Sequence, residues 1–133
     1  MFQKAKAIWL AGKECEKNVQ AVYKTDVVVT KDTELHVAGS VFYRIYCNHQ
    51  FIAFGPARTA IGYVREDIFK LSEYGIAEGE TCEILIEAMG YYCRSVSTAF
   101  QPSCLMAEIQ CNGEVVAYTG NDFVAYMPKS RVQ

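Results

Sequence analysis

Carboxylates are the first side chains to consider as catalysts in this chain. Hydrolysis by a carboxylate pair needs the two groups on opposite sides of the bond that is cleaved, roughly 5–9.5 Å apart. Glu66 and Asp67 are adjacent, so on a strand their side chains point to opposite faces. Glu83 and Glu87 share the outward face of one predicted strand, and the sequence gives neither a partner. We therefore predict solvated carboxylates here and no catalytic residue.

Cysteine and metal chemistry are the next possibilities. Cys93 precedes Arg94, whose charge could lower the pKa of the thiol. A cysteine nucleophile also needs a nearby histidine, and the sequence places neither His36 nor His49 beside it. There is no C-x-x-C pair, so we predict no metal site. The glycines are scattered at turns rather than clustered in a phosphate loop, and no cofactor is predicted.

The segment from Gly90 to Pro102 is the best candidate for binding chemistry. It is a long predicted loop, and long loops inside compact domains are often functional. A sugar binds where an aromatic ring meets its C–H face and fixed polar groups address its hydroxyls. The alternative is that the rings only close one end of the fold, with the arginine in water. The candidate ligand-binding or interdomain residues of this loop are Tyr91, Tyr92, Arg94 and Phe100.

Arg58 is the remaining candidate. Pro56 lies two residues before it and restricts the backbone, so the guanidinium would be held at a defined place after a strand. Its planar fork could bind a carboxylate of another domain, a neighbouring loop or a ligand. We favour a structural or interdomain contact over ligand binding.

The elements that would position these residues are mostly short strands. Alternating polar and apolar residues, separated by turn signals, predict strands, and Asn48-His49 and Asn112-Gly113 fall where two-residue hairpin turns would lie. A turn or two of helix is predicted for Asp67–Tyr74, ending near Gly75. The predicted strands are Gln20–Val29, Glu34–Ala38, Val41–Cys47, Gln50–Phe54, Thr81–Met89, Cys104–Cys111, Glu114–Tyr118 and Asp122–Tyr126. This pattern predicts an all-β fold, an antiparallel two-sheet β-sandwich or jelly roll.

Composition limits the remaining possibilities. The chain has 133 residues, of which 51% are hydrophobic and 21% charged, which is enough apolar material for one folded domain. The net charge of −2 and the lack of a basic block indicate neither a nucleic acid nor a membrane partner. We find no transmembrane segment or signal peptide. The six cysteines are therefore expected to be buried free thiols of a cytoplasmic protein.

Several segments resemble the N-terminal β-sandwich of bacterial α-L-rhamnosidases, a galactose-binding-like jelly roll. The most specific is Gly55-Pro56-Ala57-Arg58, which matches a G-P-x-R pattern after a Y-x-L-Y-V-N-G-K-x-V hairpin. Here Asn48-His49 stands where the family has Asn-Gly. The segments that carry the resemblance are Lys6–Leu10, Tyr43–Ile52, Gly55–Arg58, Glu66–Ile68 with Leu71, Glu78–Glu80 with Ile84–Ala88, and Gly90-Tyr91.

The resemblance implies a glycoside hydrolase whose catalytic carboxylates belong to a following helical barrel. Residues 1–127 would then be an accessory domain packing on that catalytic domain, and Pro128–Gln133 the start of the connection to it. The alternatives are a carbohydrate-binding module for rhamnose-type sugars and a free-standing interaction domain. If a partner domain normally covers its aromatic loop, the isolated chain is expected to self-associate weakly through Tyr91, Tyr92 or Phe100.

Overall fold

Nine β-strands make up most of the regular structure in the residues that the computed structural model describes, which are 1–60, 63–94 and 100–129. Within these ranges no helix is long and apolar enough to cross a membrane. In chain order the strands are β1 (Val19–Val28), β2 (Thr33–Gly39), β3 (Phe42–Cys47), β4 (Gln50–Gly55), β5 (Asp67–Lys70), β6 (Thr81–Gly90), β7 (Leu105–Cys111), β8 (Glu114–Tyr118) and β9 (Val124–Tyr126).

The strands form two antiparallel sheets. One sheet has five strands in the order β4-β3-β6-β1-β9, and the other has four in the order β5-β2-β7-β8. The long central pair of the larger sheet runs from Val19 opposite Gly90 to Val28 opposite Thr81. The predicted two-sheet antiparallel β-sandwich is confirmed.

Alternation along the central strands builds the core between the sheets. Each strand turns every second side chain inward, and those side chains are buried almost completely. The inward residues include Ala21, Tyr23, Leu35, Val37, Tyr43, Ile45, Cys82, Ile84, Ile86, Leu105, Ala107 and Ile109. Trp9 also packs against this cluster, although it lies in the N-terminal segment before β1. The faces predicted for β1, β3, β6 and β7 are therefore the buried ones.

The segment Asp67–Tyr74 is helical only in its second half, not throughout as the sequence indicated. Its first half is the edge strand β5, which pairs with β2 from Val37 opposite Asp67 to Glu34 opposite Lys70. Only Leu71–Tyr74 is helical, as a single 3₁₀ turn that ends at Gly75 in the left-handed region. Asp67–Lys70 form a strand because they can hydrogen-bond to the edge of β2. A helix of only four residues would form too few internal hydrogen bonds to be stable.

Two tight turns have the backbone that their residues favour. Asn48 and His49 have φ of 46° and 67°, and Asn112 and Gly113 have φ of 51° and 79°. Positive φ at both central residues is the geometry of a type I′ hairpin, whose twist matches that of the flanking strands. The β3–β4 and β7–β8 hairpins predicted from these dipeptides are confirmed.

The N-terminal segment is held to the outer face of the smaller sheet by a buried carboxylate. Glu108 of β7 has no solvent-exposed surface and accepts hydrogen bonds from the backbone N–H groups of Gln3, Lys4 and Ala5 at 2.7–3.1 Å. The side-chain amide of Gln110 donates a further bond at 2.7 Å. Burial alone would raise the pKa of Glu108, but these four donors together hold it below its ordinary value.

This arrangement makes a prediction about acid stability. Because the folded-state pKa of Glu108 is lowered, the carboxylate stabilises the fold above the pKa of an unfolded glutamate, about 4.3. That contribution is lost as the pH falls through the lowered folded-state value. We expect the thermal midpoint to fall steeply below about pH 4, and the Glu108→Gln variant to lose part of that slope. A pH series of thermal melts measures both, and identical slopes in the two proteins would contradict the assignment.

The cysteines give a second prediction. No disulfide joins any of the six, all of which lie in the described part of the chain. Cys47 and Cys82 lie in the core within hydrogen-bonding contact, and burial raises the pKa of both thiols. We expect the exposed Cys15 to be alkylated first in the native protein, these two to be protected, and all six to react after unfolding. Mass spectrometry after alkylation counts them, and two or more cystines would contradict the prediction.

Candidate functional site

Two of the sequence-predicted segments leave the larger sheet at the same end. Tyr43 of β3 lies opposite Gly55 on one side and opposite Ala88 on the other. The chain after β4, which carries Arg58, and the chain after β6, which carries Tyr91, therefore both start at this end. We call it the loop end of the sandwich.

A partly buried polar contact lies against Gly55, the last residue before the Arg58 segment. The hydroxyl of Tyr43 donates a hydrogen bond to Asp67 Oδ2, and Arg65 Nε donates to Asp67 Oδ1 at 2.6 Å. Burial, followed by this bond to a carboxylate, raises the pKa of Tyr43. A Cβ on Gly55 would lie 2.8 Å from the Tyr43 ring and 2.9 Å from Asp67 Oδ2. The glycine of the G-P-A-R motif is thus required because the tyrosine ring crosses directly over the backbone.

Three of the five predicted site residues are brought together at the loop end. The rings of Tyr92 and Phe100 are 4.6 Å apart between centroids, and the guanidinium carbon of Arg94 lies 5.7 Å from the centre of the Phe100 ring. Phe100 is 52% exposed. We call these three residues the loop-end cluster. Residues 95–99 of the predicted binding loop lie outside the described part of the chain.

Tyr91 and Arg58 are not part of this cluster. Tyr91 packs edge-on against Phe42 of β3, with ring centroids 5.8 Å apart. Arg58 is exposed, and neither a hydrogen bond nor an ion pair joins it to another residue in the described ranges. The sequence had grouped Tyr91 with the other loop residues and had treated Arg58 separately, and the structure places Tyr91 apart from the cluster.

A cleft of about 350 Å³ lies on the outer face of the larger sheet, beside Tyr91. Its walls come from β1, β3, β4 and β6, which the sheet register places side by side. The lining residues are Gln20, Phe42, Tyr43, Arg44, Phe54, Glu87, Ala88, Met89 and Tyr91. We call this feature the sheet cleft. Its volume lies within the range of small-molecule sites, roughly 300–1,000 Å³.

One wall of the sheet cleft is aromatic. Phe42 and Phe54 are nearly parallel, with an interplanar angle of 10° and centroids 6.1 Å apart. Tyr91 meets Phe42 from the other side in a T-shaped contact. Phe54 is 60% exposed and Tyr91 is 40% exposed. A row of rings that keep this much surface in water is typical of a face on which something else packs.

The floor of the sheet cleft carries two opposite charges. Arg44 of β3 lies directly opposite Glu87 of β6, and both side chains point away from the core. Among the described residues no ion pair or hydrogen bond engages either side chain, not even one between the two. The cleft therefore offers a guanidinium donor and a carboxylate acceptor, and its formal charge is balanced.

Several other carboxylates make contacts within the fold. Glu66 accepts a hydrogen bond from the buried His36 at 2.6 Å, and Glu108 is enclosed by the N-terminal segment. Glu83, which the sequence left without a partner, forms an ion pair with Lys24 at 3.0 Å. Glu87 is the one carboxylate among the residues that line the sheet cleft. In the described ranges no group of three or more histidine, cysteine, aspartate and glutamate residues could hold a metal ion.

Sequence reasoning missed most of the sheet cleft. It placed Phe42, Arg44 and Tyr46 on the outward face of one strand but gave that face no role. The available signal was that the outward positions of β3 and β4 carry aromatic side chains, where a solvated strand face would carry polar ones.

The strand order defines an antiparallel two-sheet β-sandwich, with the sheet cleft on the outer face of its larger sheet. The structure is similar to part of a GH78 family rhamnosidase of Bacillus sp. GL1, with a TM-score of 0.83 at 18% sequence identity. The match covers 94% of this chain and 13% of the rhamnosidase chain. No family model matches the sequence, and no curated protein matches it. The resemblance read from the sequence is therefore confirmed at the level of the fold.

Proposed function

We propose that this chain is a non-catalytic β-sandwich domain of an α-L-rhamnosidase-like glycoside hydrolase and packs on the catalytic domain of that enzyme. The observation that carries the proposal is the match of nearly the whole chain to about an eighth of a GH78 rhamnosidase. In this proposal residues 128–133 begin the connection to the catalytic domain, and residues 130–133 lie outside the described part of the chain.

The placement of the carboxylates supports a non-catalytic role. Glycoside hydrolysis uses two carboxyl groups that flank the scissile bond. Glu87 lines the sheet cleft together with an arginine and no second carboxylate. Glu66 is hydrogen-bonded to His36. Asp67 accepts hydrogen bonds from Tyr43 and Arg65, and Glu108 accepts them from backbone amides. None of these groups could act as the second catalytic carboxylate at the cleft.

The loop-end cluster is the surface that we propose for packing on the neighbouring domain. Phe100 presents half of its surface to solvent, with Arg94 lying over the ring. Arginine beside an exposed aromatic ring is typical of protein interfaces. Arg58, which leaves the same end of the sheet, could then bind a carboxylate of the neighbouring domain through its guanidinium.

Hydrogen–deuterium exchange tests this packing role. The exchange of the chain alone is compared with that of the same residues within the full-length gene product. We expect slower exchange in the longer protein at residues 91–94 and 100–104, and unchanged exchange at the opposite turn, Asn112-Gly113. A gene product without a glycoside hydrolase domain, or equal exchange in both proteins, would contradict the proposal.

Self-association of the isolated chain gives a second measurement. An aromatic surface that a partner normally covers tends to pair with a second copy when the partner is absent. We expect a concentration-dependent rise in sedimentation coefficient that the Phe100→Ser variant reduces, with Val116→Ser, another half-exposed apolar position, as the control. A monomer at millimolar concentration would contradict it.

A carbohydrate-binding role is the second candidate, and the sheet cleft favours it.

We also propose that the chain works in the cytoplasm, a proposal that the core placement of Cys47 and Cys82 supports, because reduced thiols persist in that compartment.

A further inference from the structure

We propose that the outer face of the larger sheet is a two-fold interface, on which a second copy of this chain packs. A copy seated there would cover the sheet cleft and leave no room for the carbohydrate of the second candidate role. The surface shares no residue with the loop-end cluster, whose packing role is therefore independent of it.

The sheet register makes this face complementary to itself. β3 and β6 are neighbours in the larger sheet, and their outward residues form three directly opposed pairs, because the residues between them along each strand lie in the core. The pairs are Phe42 with Met89, Arg44 with Glu87, and Tyr46 with Leu85. A two-fold axis that runs along the strands, midway between β3 and β6, places β3 of each copy over β6 of the other. Each outward residue of β3 then faces, on the second copy, the residue type that it already opposes within its own sheet.

The central pair supplies charge complementarity. Arg44 is exposed and Glu87 is half-buried, and neither side chain forms a hydrogen bond or ion pair with another described residue. In the two-fold arrangement the guanidinium of each copy lies over the carboxylate of the other, so two ion pairs form across the axis. A closed two-fold interface requires such mutual pairing, because the same patch must fit itself, and a patch with one sign of charge would repel its own copy.

The two outer pairs supply the apolar contact. In the two-fold arrangement the Phe42 ring meets the thioether of Met89, a favourable sulfur–aromatic contact, and the Tyr46 ring meets Leu85. All four side chains keep part of their surface in water, and Phe54 of β4, at 60% exposed, widens the apolar surface. Sheets that pack face to face keep their strands within about 30° of each other, so residues next to the axis stay in contact.

A second copy is favoured over an unrelated protein because it supplies the matching residue in all three rows. Removal of these side chains from water stabilises the contact. The face is narrow, so we expect a weak dimer, with a Kd on the order of 10–100 µM.

Charge reversal followed by mixing tests the two-fold pairing. All proteins carry Phe100→Ser, which removes the contact predicted for the loop-end cluster, and sedimentation velocity measures the dimer Kd. Arg44→Glu and Glu87→Arg should each weaken dimerisation about tenfold or more, because like charges then face each other at both ion pairs. A 1:1 mixture of the two variants should recover a Kd within about threefold of the background protein, because opposite charges meet again at both positions of the mixed dimer.

Two further variants serve as controls. Glu114→Arg makes the same change of charge at an exposed position of the smaller sheet, and it should leave the Kd within about twofold. The double variant, Arg44→Glu with Glu87→Arg, restores opposite charges within every dimer and should associate as the background protein does. It keeps the test decisive if one single variant fails to fold, which circular dichroism reports.

Three results would overturn the proposal. One is a background protein that stays monomeric at about 1 mM, and another is a mixture that associates no more tightly than the single variants. The third is slowed hydrogen exchange at β3 and β6 in a monomeric full-length gene product, because another domain would then occupy the face. None of them changes the exchange expected at residues 91–94 and 100–104.

Discussion

Replacing Glu108 with alanine should lower the free energy of unfolding by about 3 kcal/mol. The carboxylate is fully buried and accepts bonds from three successive backbone amides and from Gln110. Alanine would leave these donors buried without acceptors, and it would release the N-terminal segment from the outer face of β7. The thermal midpoint should fall by roughly 10 °C, as differential scanning calorimetry would show.

A matched control shows whether the destabilisation is specific to Glu108 or follows the removal of any glutamate. Glu114 begins β8, is exposed, and has no ion pair in the described ranges. Glu114→Ala should change the midpoint by less than about 2 °C. Similar melting of the two variants would contradict the view that Glu108 anchors the N-terminal segment.

The substitution Gly55→Ala should be similarly damaging, at about 3 kcal/mol. The added methyl would lie 2.8 Å from the ring of Tyr43, which is fully buried, and 2.9 Å from Asp67 Oδ2. Either the ring shifts and its hydrogen bond to Asp67 breaks, or β4 separates from β3. Urea denaturation measures the loss.

A double-mutant cycle tests whether a clash with the Tyr43 ring causes the destabilisation by Gly55→Ala. On the Tyr43→Leu background the ring is absent, so Gly55→Ala should be clearly less destabilising than in the wild-type protein. Additive effects of the two substitutions would show that the clash with the ring is not the source. The result bears on the G-P-A-R motif, because it separates a packing requirement at Gly55 from a binding role at Arg58.

The strands could be predicted because each central strand has one face in the core and one outside. Alternation in Val41–Cys47 and Thr81–Met89 identified the buried residues directly. The edge strand β5 was mispredicted because it has only four residues, which is too short for a two-residue period to be told from a helical one. Its pairing with β2 is a long-range contact, and no local pattern reports it.

The site was harder to predict than the fold because it too depends on contacts between residues far apart in the sequence. The sequence pointed to Tyr92, Arg94 and Phe100 because they lie close together in one loop, and the structure does bring them into contact. The sheet cleft combines residues from four strands, and Arg44 faces Glu87 only because of the β3–β6 register. A strand register depends on the whole sheet, so this pairing could not be read from either strand alone.

The central proposal, that this chain is a non-catalytic domain of an α-L-rhamnosidase-like enzyme, is tested most directly by one hydrolysis assay. The chain alone and the full-length gene product are each incubated with 4-nitrophenyl α-L-rhamnopyranoside, and release of 4-nitrophenol is followed. The account predicts no release above background by the chain and steady release by the full-length product. Hydrolysis by the 133-residue chain itself, or a full-length product that does not cleave the glycoside, would contradict it.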